Sequence, residues 1–141
     1  MLTGKPFALE IVTPEGIAFE GMVEMVQVPG TLGPFQVLYG HAPIISELDI
    51  GITRFNDSED NESIWATSSG FAQFFHNKMT LVVETAEDAT TIDIQRALAA
   101  KRRAEALLAK KEEIDFHRAQ ISLLKALNRL KAAQLVGRYH G

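Results

Sequence analysis

The residues of this sequence best suited to chemistry are charged, and they recur at helical spacing. Asp93, Arg96 and Arg103 stand at i, i+3 and i+10, which puts one carboxylate and two guanidinium groups on a common helix face. Arg118, Lys125 and Arg129 stand at i, i+7 and i+11 and again share a face. Guanidinium groups grip carboxylates and phosphates through paired hydrogen bonds, so two converging basic faces could receive a polyanion or an acidic protein segment. The same spacing also suits a solvated flank, in which pairs such as Asp93–Arg96 contribute only about 0.2–0.5 kcal/mol each. The residues alone leave both readings open.

Other chemistry finds little support. The four histidines, His41, His76, His117 and His140, have no paired spacing, so no metal site is expected. Cysteine is absent, which excludes disulfides, thiolate ligands and thiol catalysis and fits a reducing compartment. The glycine-rich stretch Gly30-Thr31-Leu32-Gly33-Pro34 carries no lysine to reach a phosphate. Ser58, Ser63, Ser68 and Ser69 lack the context of a nucleophile elbow. No catalytic residue is therefore expected, and the chain does not read as an enzyme on its own. An isoelectric point near 5.5, with no aromatics among the basic residues, argues against nucleic acid as a partner. No stretch approaches the roughly 18–20 consecutive apolar residues of a membrane span, and the first residues lack a basic segment followed by an apolar one. The expectation is a soluble, cytoplasmic chain.

The elements that must carry these residues divide in two. The 141 residues have a net charge of −4, but residues 1–89 hold three Lys/Arg against thirteen Asp/Glu, a net of −10. Residues 90–141 hold eleven against five, a net of +6. All five prolines lie at or before Pro43, and no glycine falls between Gly70 and Gly137. Such a shift marks two architectures and suggests two kinds of partner. The expected division is a domain over 1–88 and a second over 89–141.

The first part predicts short strands. Phe7, Leu9 and Ile11 alternate along 7–12, and Pro14-Glu15-Gly16 reads as a turn. Runs at 22–28, 37–38, 51–55 and 63–67 follow, the last two flanking an acidic loop over 56–62. Runs at 71–75 and 79–84 flank His76-Asn77-Lys78, which suits a three-residue hairpin. Strands at this spacing describe an antiparallel β-sandwich or a barrel. The second part predicts a helix from Ile92 to Lys110, with Thr91 as its N-cap, Asp93 in its first turn and Lys110-Lys111 at its far end. A second helix is expected behind an Asp115 N-cap, with an apolar stripe of Phe116, Ala119, Leu123, Leu127, Leu130 and Gln134, ending at Gly137. Joined by a short charged link, the two form an antiparallel helical hairpin, and the fold class is α+β.

The order of these features carries a resemblance. Gly40-His41-Ala42-Pro43-Ile44, then Ser69-Gly70-Phe71, then Ile92-Asp93-Ile94-Gln95-Arg96-Ala97 opening the hairpin resemble the epsilon subunits of bacterial F-type ATP synthases. The resemblance runs from Phe7 to about Leu135. Pro34, Phe35, Gln36 and Tyr39 depart from the family's usual pattern between Val28 and His41.

The resemblance implies a non-catalytic central-stalk subunit at the cytoplasmic face of the bacterial plasma membrane, reaching that membrane only through its complex. Its partners would be the gamma subunit, the c-ring, and the beta and alpha subunits. Thr31, Leu38 and His41 would meet gamma or the c-ring, and Arg118, Lys125, Arg129 and Lys131 would meet an acidic segment of beta. The hairpin would either fold against the sandwich or extend and inhibit ATP hydrolysis. No cofactor is implied as required. ATP is implied as a regulatory ligand of some members, and the matching positions are Glu87, Ile92, Asp93, Arg96, Ala97, Arg103, Lys125 and Arg129. The alternative is a stand-alone β-sandwich ligand-binding module with a helical dimerisation arm.

Overall fold

The computed structural model describes residues 4–110 and 113–141, and only the helical backbone of 113–115. The chain divides into two compact units, Met1–Asp88 and Ala89–Gly141.

The first unit is two five-stranded sheets. One contains β1 (Phe7–Thr13), β2 (Gly16–Val23), β5 (Ile44–Leu48), β8 (Gly70–Phe75) and β9 (Lys78–Val83), in the order β2-β1-β9-β8-β5. The other contains β3 (Met25–Val28), β4 (Phe35–Leu38), β6 (Gly51–Asn56), β7 (Glu62–Thr67) and β10 (Ala86–Asp88), in the order β10-β7-β6-β3-β4. Period-two alternation explains the core: Phe7, Leu9 and Ile11 from β1 meet Phe74, Met79 and Leu81 from β8 and β9. Val26, Val28, Phe55 and Trp65 close the layer from the second sheet.

The sandwich differs from the sequence expectation in four respects. The ladders are antiparallel except β1 with β9, which is parallel. The run over 22–28 is two strands in different sheets, broken at Glu24, whose N–H donates to Asn56 O at 2.8 Å. Strands β2, β5 and β10 were not expected as such. The β8–β9 turn is two residues rather than three. His76 (φ 49°) and Asn77 (φ 54°) both lie in the left-handed region, as a type I′ hairpin requires, and Lys78 already pairs with Phe75. Gly70 begins β8 where a Cβ would collide with the Val82 backbone, which accounts for a glycine after Ser68-Ser69.

The second unit opens with a 3-10 turn, Ala89–Thr91, followed by α1 (Ile94–Ala109) and α2 (Glu113–Leu135). The N-cap of α1 is Asp93, not Thr91: its Oδ1 accepts the Arg96 N–H at 3.0 Å. A carboxylate at this position satisfies an otherwise orphaned donor and complements the helix dipole. The helix closes at Lys110, whose N–H reaches Leu107 O. Lys111 and Glu112, assigned to the helix end and to the charged link, lie outside the described residues. Asp115 falls inside the first turn of α2 rather than at its cap.

The seam between the helices keeps Ala119 and Leu130 of the expected stripe, but most of its other members are alanines outside that stripe. The buried residues are Ala97 and Ala104 on α1, and Ala119, Ala126, Leu130, Ala132 and Ala133 on α2. Phe116 and Leu127 are 41% exposed, and Gln134 is exposed. Ala97/Ala104 and Ala119/Ala126/Ala133 each repeat every seven residues, so the methyl-sized side chains line one face and allow the backbones to approach closely. At the end of α2 the Arg138 N–H reaches Ala133 O at 2.9 Å and the Gly137 N–H reaches Gln134 O at 3.0 Å. With Gly137 at φ 77°, this is the Schellman close that its glycine predicts. The turned tail brings the Arg138 guanidinium onto Ala89 O at 2.7 Å.

Candidate functional site

Helical phase decides which charges on the hairpin belong together. At about 100° per residue, Arg96 and Arg103 lie about a quarter turn from the alanine seam of α1. Arg118, Lys125 and Arg129 lie about the same arc from the seam of α2. Because the helices are antiparallel, both sets fall on the same flank of the hairpin. Arg96, Arg103 and Arg118 are exposed, while Lys125 and Arg129 are partly covered. Asp93 stands at the start of this flank, its Oδ1 accepting the Arg96 main-chain N–H. Ile92 and Ala97 are buried, at 1% and 2% exposure, so they contribute packing rather than polar groups.

Two of the residues grouped in the sequence fall elsewhere. Lys131 lies about 120–160° of arc from Arg118, Lys125 and Arg129, on the flank that carries exposed Leu124 and Leu127. Glu87 belongs to the sandwich unit, on β10 opposite Ala66 of β7.

On the sandwich, Thr31 is likewise separated from Leu38 and His41. The four residues of β4, about 13 Å of strand, lie between the loop holding Thr31 and the loop holding His41. Leu38 is 43% exposed at the end of β4, and the chain then turns through Gly40 (φ 80°). The His41 N–H donates to Leu38 O at 3.1 Å. Its Nδ1 lies 2.7 Å from Ala42 O, which makes Nδ1 the protonated nitrogen, and its ring meets Phe74 edge-on at 5.9 Å. Beside it a shallow groove of about 380 Å³ is lined by Pro43, Ile44, Ile45, Gln73, Phe74 and Phe75.

A further surface was not seen in the sequence. Cross-strand pairing lines up Phe71, Val82, Val12 and Ile17 across β8, β9, β1 and β2 on the outer face of their sheet. Phe71, Val82 and Ile17 are 57%, 52% and 60% exposed. The row is contiguous across four strands, unlike singly scattered surface hydrophobes. The one available signal was that β8 and β9 carry apolar residues in both alternation sets, as in Phe74-Phe75 and Val82-Val83. Which of these form a row depends on strand register, which the sequence does not print.

The acidic loop between β6 and β7 has a structural explanation. Asp57 accepts the Glu59 N–H at 2.9 Å, the Asn61 N–H at 3.0 Å and Asn61 Nδ2 at 3.1 Å. The hydrogen bonds from Asn61, backbone first and then side chain, hold the Asp57 carboxyl below the usual range. Among the described residues no group of three or more His, Asp or Glu is placed to hold a metal ion.

Comparison with known proteins agrees with both units. Residues 6–89 match the ATP synthase delta/epsilon chain β-sandwich domain, and residues 90–134 match the long α-helix domain of the same chain. The chain is 42% identical over 128 residues to the ATP synthase epsilon chain of Desulfitobacterium hafniense, covering 91% of this chain and 96% of that one. It is 38% identical over 129 residues to the epsilon chain of Bacillus pumilus, covering 92% and 98%. In fold, it is similar to a chain of the Euglena gracilis mitochondrial ATP synthase OSCP/F1/c-ring assembly, with a TM-score of 0.81 and 20% identity over 92% of this chain and 81% of that one.

Proposed function

The chain belongs to the ATP synthase epsilon chain family, whose members are non-catalytic subunits of the complex, and from this premise we propose how its two units divide the work. The sandwich docks the chain into the rotor, against the gamma subunit and the c-ring. The hairpin regulates ATP hydrolysis by changing position, presenting Arg118, Lys125 and Arg129 to an acidic segment of the beta subunit. The chain thereby sits peripherally at the cytoplasmic face of the plasma membrane, held there by its partners. Among the described residues no helix is long and apolar enough to cross a membrane.

The observation that carries this reading is the match of both units, in order, along residues 6–134. The exposed row of Phe71, Val82 and Ile17 supports docking, because the sandwich's own core does not need it. Mixing the full chain with a gamma subunit and resolving the mixture by size-exclusion chromatography tests the docking half. A one-to-one complex is expected. A stable homodimer that leaves gamma free would overturn it in favour of a stand-alone module.

ATP as regulatory ligand is proposed for the basic flank. Arg96, Arg103 and Arg129 would take the phosphates, and Asp93, whose Oδ1 also accepts the Arg96 main-chain N–H, would meet the base or order the arginine side chains. Lys125 would add a point charge where an arginine would supply a fork. Calorimetric titration of the chain with Mg-free ATP tests this: binding heat should appear and be lost in Arg103→Ala. No heat at millimolar ATP would sink it.

A further inference from the structure

We propose that Asn77, at the tip of the β8–β9 hairpin, is the positioning residue of the Gly40–His41 loop. This rests on the reading above that the sandwich docks the chain into the rotor, with Leu38 and His41 among the residues that meet gamma or the c-ring. The Gly40 N–H donates to Asn77 Oδ1 at 2.8 Å, across 37 residues of chain. Asn77 is itself fixed by its left-handed conformation and by its carbonyl, which accepts the Ala8 N–H at 3.3 Å. The loop has few other ties. Its own contacts are local: the His41 N–H to Leu38 O, and Nδ1 to the adjacent Ala42 O. Lys5 lies over the Tyr39 ring at 5.5 Å, and Phe74 takes the edge of the imidazole.

Gly40, at φ 80°, gains no rigidity from a side chain of its own. The Asn77 amide therefore supplies the anchor that a glycine turn lacks, and it does so from a rigid two-residue hairpin. With the loop held, Phe74 sets the ring plane and Ala42 fixes the tautomer. In the neutral ring, Nε2, which has no partner among the described residues, is the nitrogen left to accept a hydrogen bond. A donor on the partner, such as a lysine, an arginine or a hydroxyl, fits that nitrogen. A cationic donor also suits a unit of net charge −10 over residues 1–89.

Asn77→Gly separates positioning from folding. Glycine adopts the required φ freely, so the hairpin and its core are kept while the acceptor is removed. Asn77→Asp keeps an acceptor oxygen and serves as the rescue. In the isolated full chain, Asn77→Gly should raise amide exchange at Gly40 about tenfold, and the His41 ring protons should lose the shift that Phe74 imposes. The thermal midpoint should fall by no more than the few degrees that one net hydrogen bond is worth. Binding to the gamma subunit should weaken about fivefold, the scale of one net hydrogen bond, and Asn77→Asp should restore both exchange and binding.

Unchanged Gly40 exchange and unchanged His41 shifts in Asn77→Gly would overturn the positioning role. So would full gamma affinity in a variant whose loop has become mobile. If the wild-type chain itself fails to bind gamma, the docking reading falls, and the exchange and ring-shift measurements still decide whether Asn77 orders the loop.

Discussion

The two units of this chain are held together by different side chains. The sandwich buries Phe7, Leu9, Ile11, Phe74, Met79 and Leu81 at 1% exposure or less. The hairpin is closed chiefly by alanines, with Ile92 and Leu130 as its larger buried residues among those described. Each buried methyl contributes on the order of 0.8 kcal/mol, a fraction of what a buried leucine or phenylalanine supplies. An alanine seam therefore gives close approach and helix propensity with little burial. A unit that serves as a platform needs the first kind of core, and a unit that changes position is served by the second.

Substitutions can break this contrast, and the largest effect belongs to the sandwich. Leu81→Ala should cost about 2–5 kcal/mol, read as the loss of the sandwich transition in chemical denaturation. Ala126→Leu should disturb the hairpin by about 1–3 kcal/mol, because the seam has no room for three more carbons. Hydrogen exchange should then quicken along α1 and α2 while β1, β8 and β9 stay protected. If Ala126→Leu destabilised both units equally, the contrast would fail.

Smaller changes sharpen it. Asp93→Ala should cost about 1 kcal/mol of helix stability through the lost cap, and Asp93→Asn should recover most of it. Far-ultraviolet circular dichroism during thermal melting reads that difference. The smallest effect is the pH response of the loop between β6 and β7. The folded state lowers the Asp57 pKa, so its contribution is present above the unfolded value and lost as pH falls through the lowered one. Exchange-corrected protection of the Asn61 amide should decline over that acidic range, and Asp57→Ala should abolish the dependence.

Much of this organisation could be read from residue order. The alternation of Phe7, Leu9 and Ile11 fixes the inner face of β1 because the strand period is two. The spacing of Arg96/Arg103 and of Arg118/Lys125/Arg129 fixes a shared flank because the helical period is 3.6. The seam was legible only at Ala119 and Leu130, because large apolar residues dominate any reading of an amphipathic stripe, whereas close helix contact favours alanine. Lys131 stands on a different flank from Arg129, because two residues along a helix point about 160° apart. Thr31 was set with His41 through loop continuity, and β4 separates them. The row of Phe71, Val82, Val12 and Ile17 arises only once four strands are in register. The anchor from Asn77 to Gly40 joins residues 37 positions apart, with no local pattern to announce it.

The division of labour is tested most directly by ATP hydrolysis in the complex, reconstituted with the full chain or with a chain ending at Asp88. The expected result is that the shortened chain assembles with gamma as the full chain does, while hydrolysis rises. Equal assembly with unchanged hydrolysis would remove the regulatory role of the hairpin, and failed assembly would remove docking from the sandwich alone.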